Sequence, residues 1–313
     1  MSVRKSFVVA LIAAALSACV DPNAARVPNS RLSLRAGGAI ATPSDPSVRR
    51  EYGQAVRLGA GVARTYVAFD PRTPNVPVEV GVALSELAMG GLPSPMVMSQ
   101  SMSSDGHEHL DSHIYDLTMP TINGTPYKFV ELDWNPGGHE PPGVYDVPHF
   151  DFHFYKVEKS VRDGIDPTQM SKETYLEKSA KLPPEAERAP NYLALSAPGT
   201  PVVAVPKMGT HWVDVRTPEL QALFGRPEAY LPFTTTFLHG SWDGQFIFDE
   251  PMITRAFIME RKTAETAGER DRVIQLPQAK QFAPSGYYPN AYRVMWDAEQ
   301  KEYRIALTQL VRR

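Results

Sequence analysis

A chain of 313 residues with 42% apolar side chains is long enough to build one large core or two small ones. Its 32 basic and 35 acidic residues give a formal charge of −3 with no basic block, which excludes nucleic acid as a partner. A single cysteine, Cys19, excludes intrachain disulfides and clustered thiolate metal centres.

At the N-terminus, Arg4 and Lys5 precede an apolar run from Phe7 to Leu16. That length suits a signal-peptide core and is too short to span a bilayer. The run ends in Leu16-Ser17-Ala18-Cys19, which resembles the bacterial lipobox. Residues 1–18 are therefore expected to be a lipoprotein signal peptide, and Cys19 the lipidated anchor to a membrane. The alternative is an ordinary secretory peptide cut near Ala18. Val20 rather than Asp follows Cys19, so the anchor is expected on the outer membrane, facing the periplasm or the surface. Removal of residues 1–18 leaves 30 basic against 35 acidic residues, a formal charge of −5. Residues 19–60, rich in Pro, Ala, Arg and Ser, are expected to form a tether and a poorly ordered lead-in.

A single β-rich domain is expected over residues 61–313. Its first strands are Ala63–Phe69 and Val78–Leu84, the second apolar at every even position. A Ser- and Met-rich stretch over 93–109 predicts an exposed loop. Tyr127–Trp134 predicts another strand. Ser171 is placed to cap a short helix running through Ser179, and Thr217-Pro218 to Gly225 carries helix start and stop signals. Pro201–Pro206 predicts a short buried strand. Phe233–His239 and Gln245–Phe248 flank Gly240–Gly244 as a hairpin, and Ala291–Trp296 with Tyr303–Leu310 form a last strand pair. Strands outnumber helices and no βαβ spacing occurs. The fold class is mainly β (α+β), an antiparallel β-sandwich or barrel with short inserted helices.

The run Gly138–Tyr155 holds three of the eight histidines and three acids. From His149 to Tyr155 polar and aromatic residues alternate. A strand puts His149, Asp151, His153 and Tyr155 on one face and Phe150, Phe152 and Phe154 on the other. Histidine and carboxylate are ligands for zinc, iron or manganese, so a divalent metal is the cofactor this pattern suggests. Residues i and i+2 lie roughly 6.8 Å apart on a strand and i and i+4 about 13 Å. His149 and His153 therefore do not share one ion on a regular strand, whereas His149 with Asp151, or Asp151 with His153, can. The predicted metal set is His149, Asp151, His153 and His211, with His139, Glu140, Tyr155, His239 and Glu250 as ligand-binding candidates. His107, His109 and His113 form a second array in the Ser/Met-rich loop. The competing reading makes each imidazole a structural partner of a neighbouring acid. Without metal, a His–Asp pair beside Tyr155 can serve as base and acid. Gly-x-Ser-x-Gly, phosphate-loop and His-Glu-x-x-His patterns are absent.

Three segments, Gly138–Tyr155, Met208–Asp214 and Phe237–Phe257, are similar to an uncharacterised family of bacterial exported proteins. That family is a domain of unknown function with a sigma-E-regulated thermophile representative, and the likeness covers roughly residues 60–260. It implies an extracytoplasmic, stress-linked setting and self-assembly into a homo-oligomer, and it brings no assigned reaction. Gly143 followed by His149-Phe150-Asp151 and Glu158 more distantly resembles the first cupin motif, with Asp151 replacing the second histidine. The sequence leads to a membrane-anchored envelope protein with a His/Asp-lined pocket, binding a metal and a small molecule, with hydrolase, lyase or oxygenase chemistry. The alternative is a non-enzymatic envelope stress or assembly protein with structural histidines.

Overall fold

The computed structural model describes residues 48–95, 112–195 and 202–313. The chain opens with β1 (Arg49–Tyr52), β2 (Val56–Leu58), β3 (Gly61–Phe69) and β4 (Pro77–Ser85). It continues with β5 (His113–Thr118), β6 (Phe129–Asn135) and β7 (His149–Tyr155). An excursion follows, carrying α1 (Lys159–Asp163), α2 (Lys172–Ala180), β8 (Tyr192–Ala194) and β9 (Thr210–Asp214). Next come β10 (Thr235–Trp242) and β11 (Gln245–Thr254), then α3 (Arg255–Thr263) and α4 (Ala267–Arg270). The last strands are β12 (Asp271–Gln275), β13 (Tyr287–Asp297) and β14 (Glu302–Arg312).

These strands make two seven-stranded sheets with antiparallel pairing throughout. One runs β1-β3-β4-β14-β13-β12 with β2 paired to β3, the other β5-β6-β7-β11-β10-β9-β8. The sheets stay open and pack face to face, so the fold is a sandwich and not a closed barrel. Val67, Val80, Val82 and Leu307 of the first sheet meet Val130, Leu132, Phe150, Phe152 and Phe154 of the second in one apolar core. The aromatic side of the histidine strand thus faces the core, as its alternation predicts. Among the described residues no helix is long and apolar enough to cross a membrane.

Several boundaries differ from expectation. Regular structure begins inside the expected lead-in: β1 and β2 both pair with β3, in registers such as Arg49↔Phe69 and Val56↔Ala63. Arg-Arg-Glu-Tyr carries no apolar alternation because it is an edge strand, held mainly by its backbone ladder. Residues 218–224 form only a 3₁₀ turn at Pro218–Leu220, where the Gln221 side chain takes up the carbonyls of Val215 and Thr217. The strand expected over 201–206 reduces, among its described residues, to one bridge between Val205 and Gly209, with Pro206 offering no N–H. The 240–244 hairpin turns on two residues, Asp243 (φ 50°) and Gly244 (φ 81°), and Gly240–Trp242 belong to β10. That left-handed pair matches the strand twist. The helix capped by Ser171 forms as expected, its hydroxyl accepting from the Thr174 N–H. Cys19, residues 1–47, His107 and His109 lie outside the described residues.

Candidate metal centre

Register places the chemistry. In the β6–β7 ladder Glu131 faces His153, Asp133 faces Asp151 and Asn135 faces His149. In an antiparallel pair, residues opposite each other share a face, so all six project away from the core. Glu250 joins them from β11, where Met252 pairs with Asp151 and Phe248 with Tyr155. His211 on β9 pairs with Gly240, which pairs with Phe248, and so reaches the same side. The loop before β7 folds His139 back over Asp151. The excursion between β7 and β10 lies against this face and buries it. Glu131, Asp133, Asp151, His149, His153 and Glu250 are each 3% exposed or less.

Two three-residue groups emerge with the same composition, two imidazoles and one carboxylate. Each has one ligand atom per residue lying within 4.8 Å of the others. The first is His139, His149 and Asp151; the second is His153, His211 and Glu250. In the first, His149 Nε2 lies 3.2 Å from Asp151 Oδ1 and His139 Nε2 lies 3.3 Å from Asp151 Oδ2. In the second, His153 Nε2 is 3.6 Å from Glu250 Oε1 and His211 Nε2 is 3.7 Å from Glu250 Oε2. A tetrahedral ion with bonds of 2.0–2.1 Å separates its ligands by roughly 3.4 Å. A third group, Glu131, Asp133 and His153, overlaps the second. Its Glu131 already contacts the guanidinium of Arg162, which reaches down from α1 and also bonds Asp116.

Hydrogen bonds fix how the first group is presented. His149 Nδ1 is 2.6 Å from the Val147 carbonyl and His139 Nδ1 is 2.7 Å from the Glu140 carbonyl. A carbonyl only accepts, so both rings carry a proton on Nδ1, and both Nε2 atoms turn toward Asp151. Backbone carbonyls behind imidazoles are the usual orienting shell of metal-binding histidines. Asn135 Nδ2 donates to Asp151 Oδ2 at 2.7 Å and holds the carboxylate in place. Two neutral imidazoles and an ionised carboxylate would then aim lone pairs at each other. Something positive must relieve them, either a second proton on a ring or a cation.

Charge points the same way. Of the buried acids, Glu131 is matched by Arg162, whereas the ion pairs of Asp133, Asp151 and Glu250 are to imidazoles. Burial, then the nearby charges of Asp151 and Glu250, lifts the Asp133 carboxyl well above the usual carboxylate range. Burial and Asp151 do the same to Glu250. Burial also pushes Asp151 up, but His149 and His139 outweigh it and hold this carboxyl well below the usual range. Burial lowers the His139 imidazole, and its bond to Asp151 outweighs that and raises it. Both Asp133 oxygens are buried without a hydrogen-bond partner, and Oδ2 lies 3.7 Å from His153 Nδ1. Asp133 thus stands between the two groups, opposite Asp151 in the ladder and beside His153.

All four predicted ligands lie on this face, divided as strand geometry requires: His149 with Asp151, and His153 with His211 in the neighbouring group. His139 and Glu250 belong to the metal groups themselves. Glu140 contributes its carbonyl, and its side chain is exposed. Tyr155 lies on the same face but packs: its ring stacks on Phe129 at 4.7 Å and its hydroxyl donates to the Lys207 carbonyl. His239 is elsewhere. It pairs with Asp249, and Asp249 with Phe154, so both lie on the core side of the sheet. His113, the described member of the second histidine array, starts β5 near the Ser94 carbonyl and joins no group.

Glu131, Asp133 and Arg162 escaped the sequence reading. For the acids a signal existed: Phe129, Glu131 and Asp133 alternate with Val130, Leu132 and Trp134, the same pattern as β7. Arg162 left none, because only the fold of the excursion sets it over Glu131. No protein-family model, curated protein or solved structure matches this chain.

Proposed function

We propose that this chain is a lipid-anchored envelope protein holding a divalent metal, zinc, iron or manganese, in paired His–His–carboxylate sets for small-molecule chemistry. The observation that carries the metal is the arrangement around Asp151. Two imidazoles, each with its Nδ1 proton committed to a backbone carbonyl, direct Nε2 at one buried carboxylate. Two histidines with one carboxylate is a donor set used by hydrolytic zinc and by non-haem iron with open positions. A bound ion would supply Lewis-acid or oxygen chemistry at this spot. Asp133, placed between the sets, is suited to bridge two ions or to take a proton. Tyr145, buried with its hydroxyl unpartnered and its ring 5.9 Å from that of His139, is suited to hydrogen-bond a small ligand there. The envelope setting rests on the lipobox-like Leu16–Cys19 and on the likeness to exported proteins.

Elemental analysis of protein purified without an affinity tag tests the reading. Stoichiometric zinc, iron or manganese, reduced in a His149→Ala or His211→Ala variant, is the expected result. Metal-free protein that takes up none of these ions on dialysis would overturn it and favour the non-enzymatic envelope role, with protons relieving Asp151.

A further inference from the structure

On the core side of the second sheet, where it meets the segment leading into β13, a cleft opens that shares no residue with the metal groups. Its floor is Asp249, 3% exposed. Three groups hold that carboxylate: Lys156 Nζ and His239 Nδ1 at Oδ1, at 3.0 and 2.7 Å, and the Tyr127 hydroxyl at Oδ2, at 2.6 Å. Asp249 is thereby satisfied and its charge matched by Lys156. The Lys156 side chain, 5% exposed, gives one ammonium proton to Asp249 and keeps others for a visitor. His239, with Nδ1 on Asp249 and its side chain 20% exposed, lines the cleft with Nε2 available. The remaining wall is apolar: Phe246, Phe282, Leu276 and Tyr288.

We infer that this cleft binds the carboxyl group of a small apolar monoacid, its O–H donating to His239 Nε2, its other oxygen accepting from Lys156 Nζ, and its tail lying along Phe246, Phe282 and Tyr288. The cleft is half open and offers about 50 Å³, where roughly 10–15 Å³ suffices for one water, so its inner end has room for a carboxyl head. The tail must lie in the open part, on the aromatic wall. Bound as the acid, the head adds no charge to the Lys156–Asp249 pair, and its two oxygens match one acceptor and one donor of the cleft. Glu187 lines the same cleft and disfavours a second acid group on the ligand.

Hexanoate and benzoate are the probes, with hexanol and succinate as controls, followed by calorimetry and by the ring resonances of His239. Saturable binding of the monoacids, absent for hexanol and succinate, is expected, weakened roughly tenfold or more by loss of one charged contact. Lys156→Met removes the ammonium. His239→Gln, which keeps a donor for Asp249, serves if the lysine variant fails to fold. Binding unchanged in His239→Gln, or equal for hexanol, overturns the inference. Carboxylates also bind metals, so the titration is repeated on His149→Ala protein. Affinity that survives there but falls in His239→Gln belongs to the cleft whether or not the metal reading stands; affinity lost in His149→Ala overturns it.

Discussion

If the Asp151 group awaits a cation, metal must stabilise the fold, and by an amount that can be bounded. A ligand binding only the native state adds RT ln(1 + [L]/Kd), about 2.7 kcal/mol at a hundredfold excess over Kd. For a domain of this size each kcal/mol moves Tm by roughly 2–4 °C. Zinc added to chelator-stripped protein is therefore expected to raise Tm by roughly 5–10 °C. Calcium, which selects oxygen ligands, should do far less at equal concentration. His149→Ala removes one of three donors from the first group and should abolish that group's share of the zinc shift while leaving the second group's share. The sign of the pH dependence follows from the same atoms. The second proton on His139, favoured by Asp151, occupies the lone pair a metal needs, so the zinc shift should shrink as pH falls through the histidine range and return above it. Differential scanning calorimetry at several pH values measures all of this. A zinc shift below about 1 °C at saturating metal, or one equal in wild type and His149→Ala, would refute the lone-pair reasoning.

Three further outcomes follow from packing and burial. At Gly240 an added Cβ would sit 1.9 Å from the Phe248 ring, which itself touches His153 and His211. Gly240→Ala should cost about 1–3 kcal/mol by overpacking and weaken metal uptake with it, read by denaturant titration and elemental analysis. Lys156→Met should destabilise by about 3 kcal/mol, the low end for breaking a buried pair, because Tyr127 and His239 still serve Asp249; Asp249→Asn in the same chain should recover part of that loss. Glu219 is buried, and burial raises its carboxyl above the usual range. A carboxyl raised in the folded state adds stability below its unfolded pKa and loses it as pH climbs through the folded value. Glu219→Gln should therefore be relatively more stable than wild type at pH 7 than at pH 4, and parallel curves from chemical denaturation would contradict that.

The histidine strand was legible because its alternation is strict: a run of Phe150, Phe152 and Phe154 admits one core face, and the candidate ligands follow from it. The same rule would have found Glu131 and Asp133, had acids on a strand been weighed like histidines. What no period could give was pairing. Whether Glu250 or Asp249 meets His153 depends on the offset between β11 and β7, and neighbouring residues on a strand point oppositely, so an offset of one residue would exchange them. His239, a ligand-binding candidate, falls on the opposite face from the candidate metal groups for the same reason. β1 and β2 were missed because edge strands need little apolar patterning, and the helix expected at 217–225 shrank because Gln221 serves nearby carbonyls instead of continuing a ladder.

A sandwich gains nothing in stability from the outer face of its second sheet as it stands. Left to solvent, Glu131, Asp133, Asp151 and Glu250 would be ordinary hydrated acids; covered by apolar side chains, that face would pack. Here the excursion covers them and strips their water, supplying Arg162 against Glu131 and His211 against Glu250. Desolvating three carboxylates whose ion pairs are to imidazoles costs several kcal/mol each unless their charge is met. Broken local rules are expected at functional sites, and the proposed metal role would account for this one. The Asp249-Glu250 pair states it most compactly: adjacent residues of β11 face opposite ways, one carboxylate fully answered by lysine, histidine and tyrosine, the other answered by two imidazoles alone. The first needs nothing more at neutral pH, and the second, its carboxyl lifted well above the usual range by burial and Asp151, takes a proton or a cation.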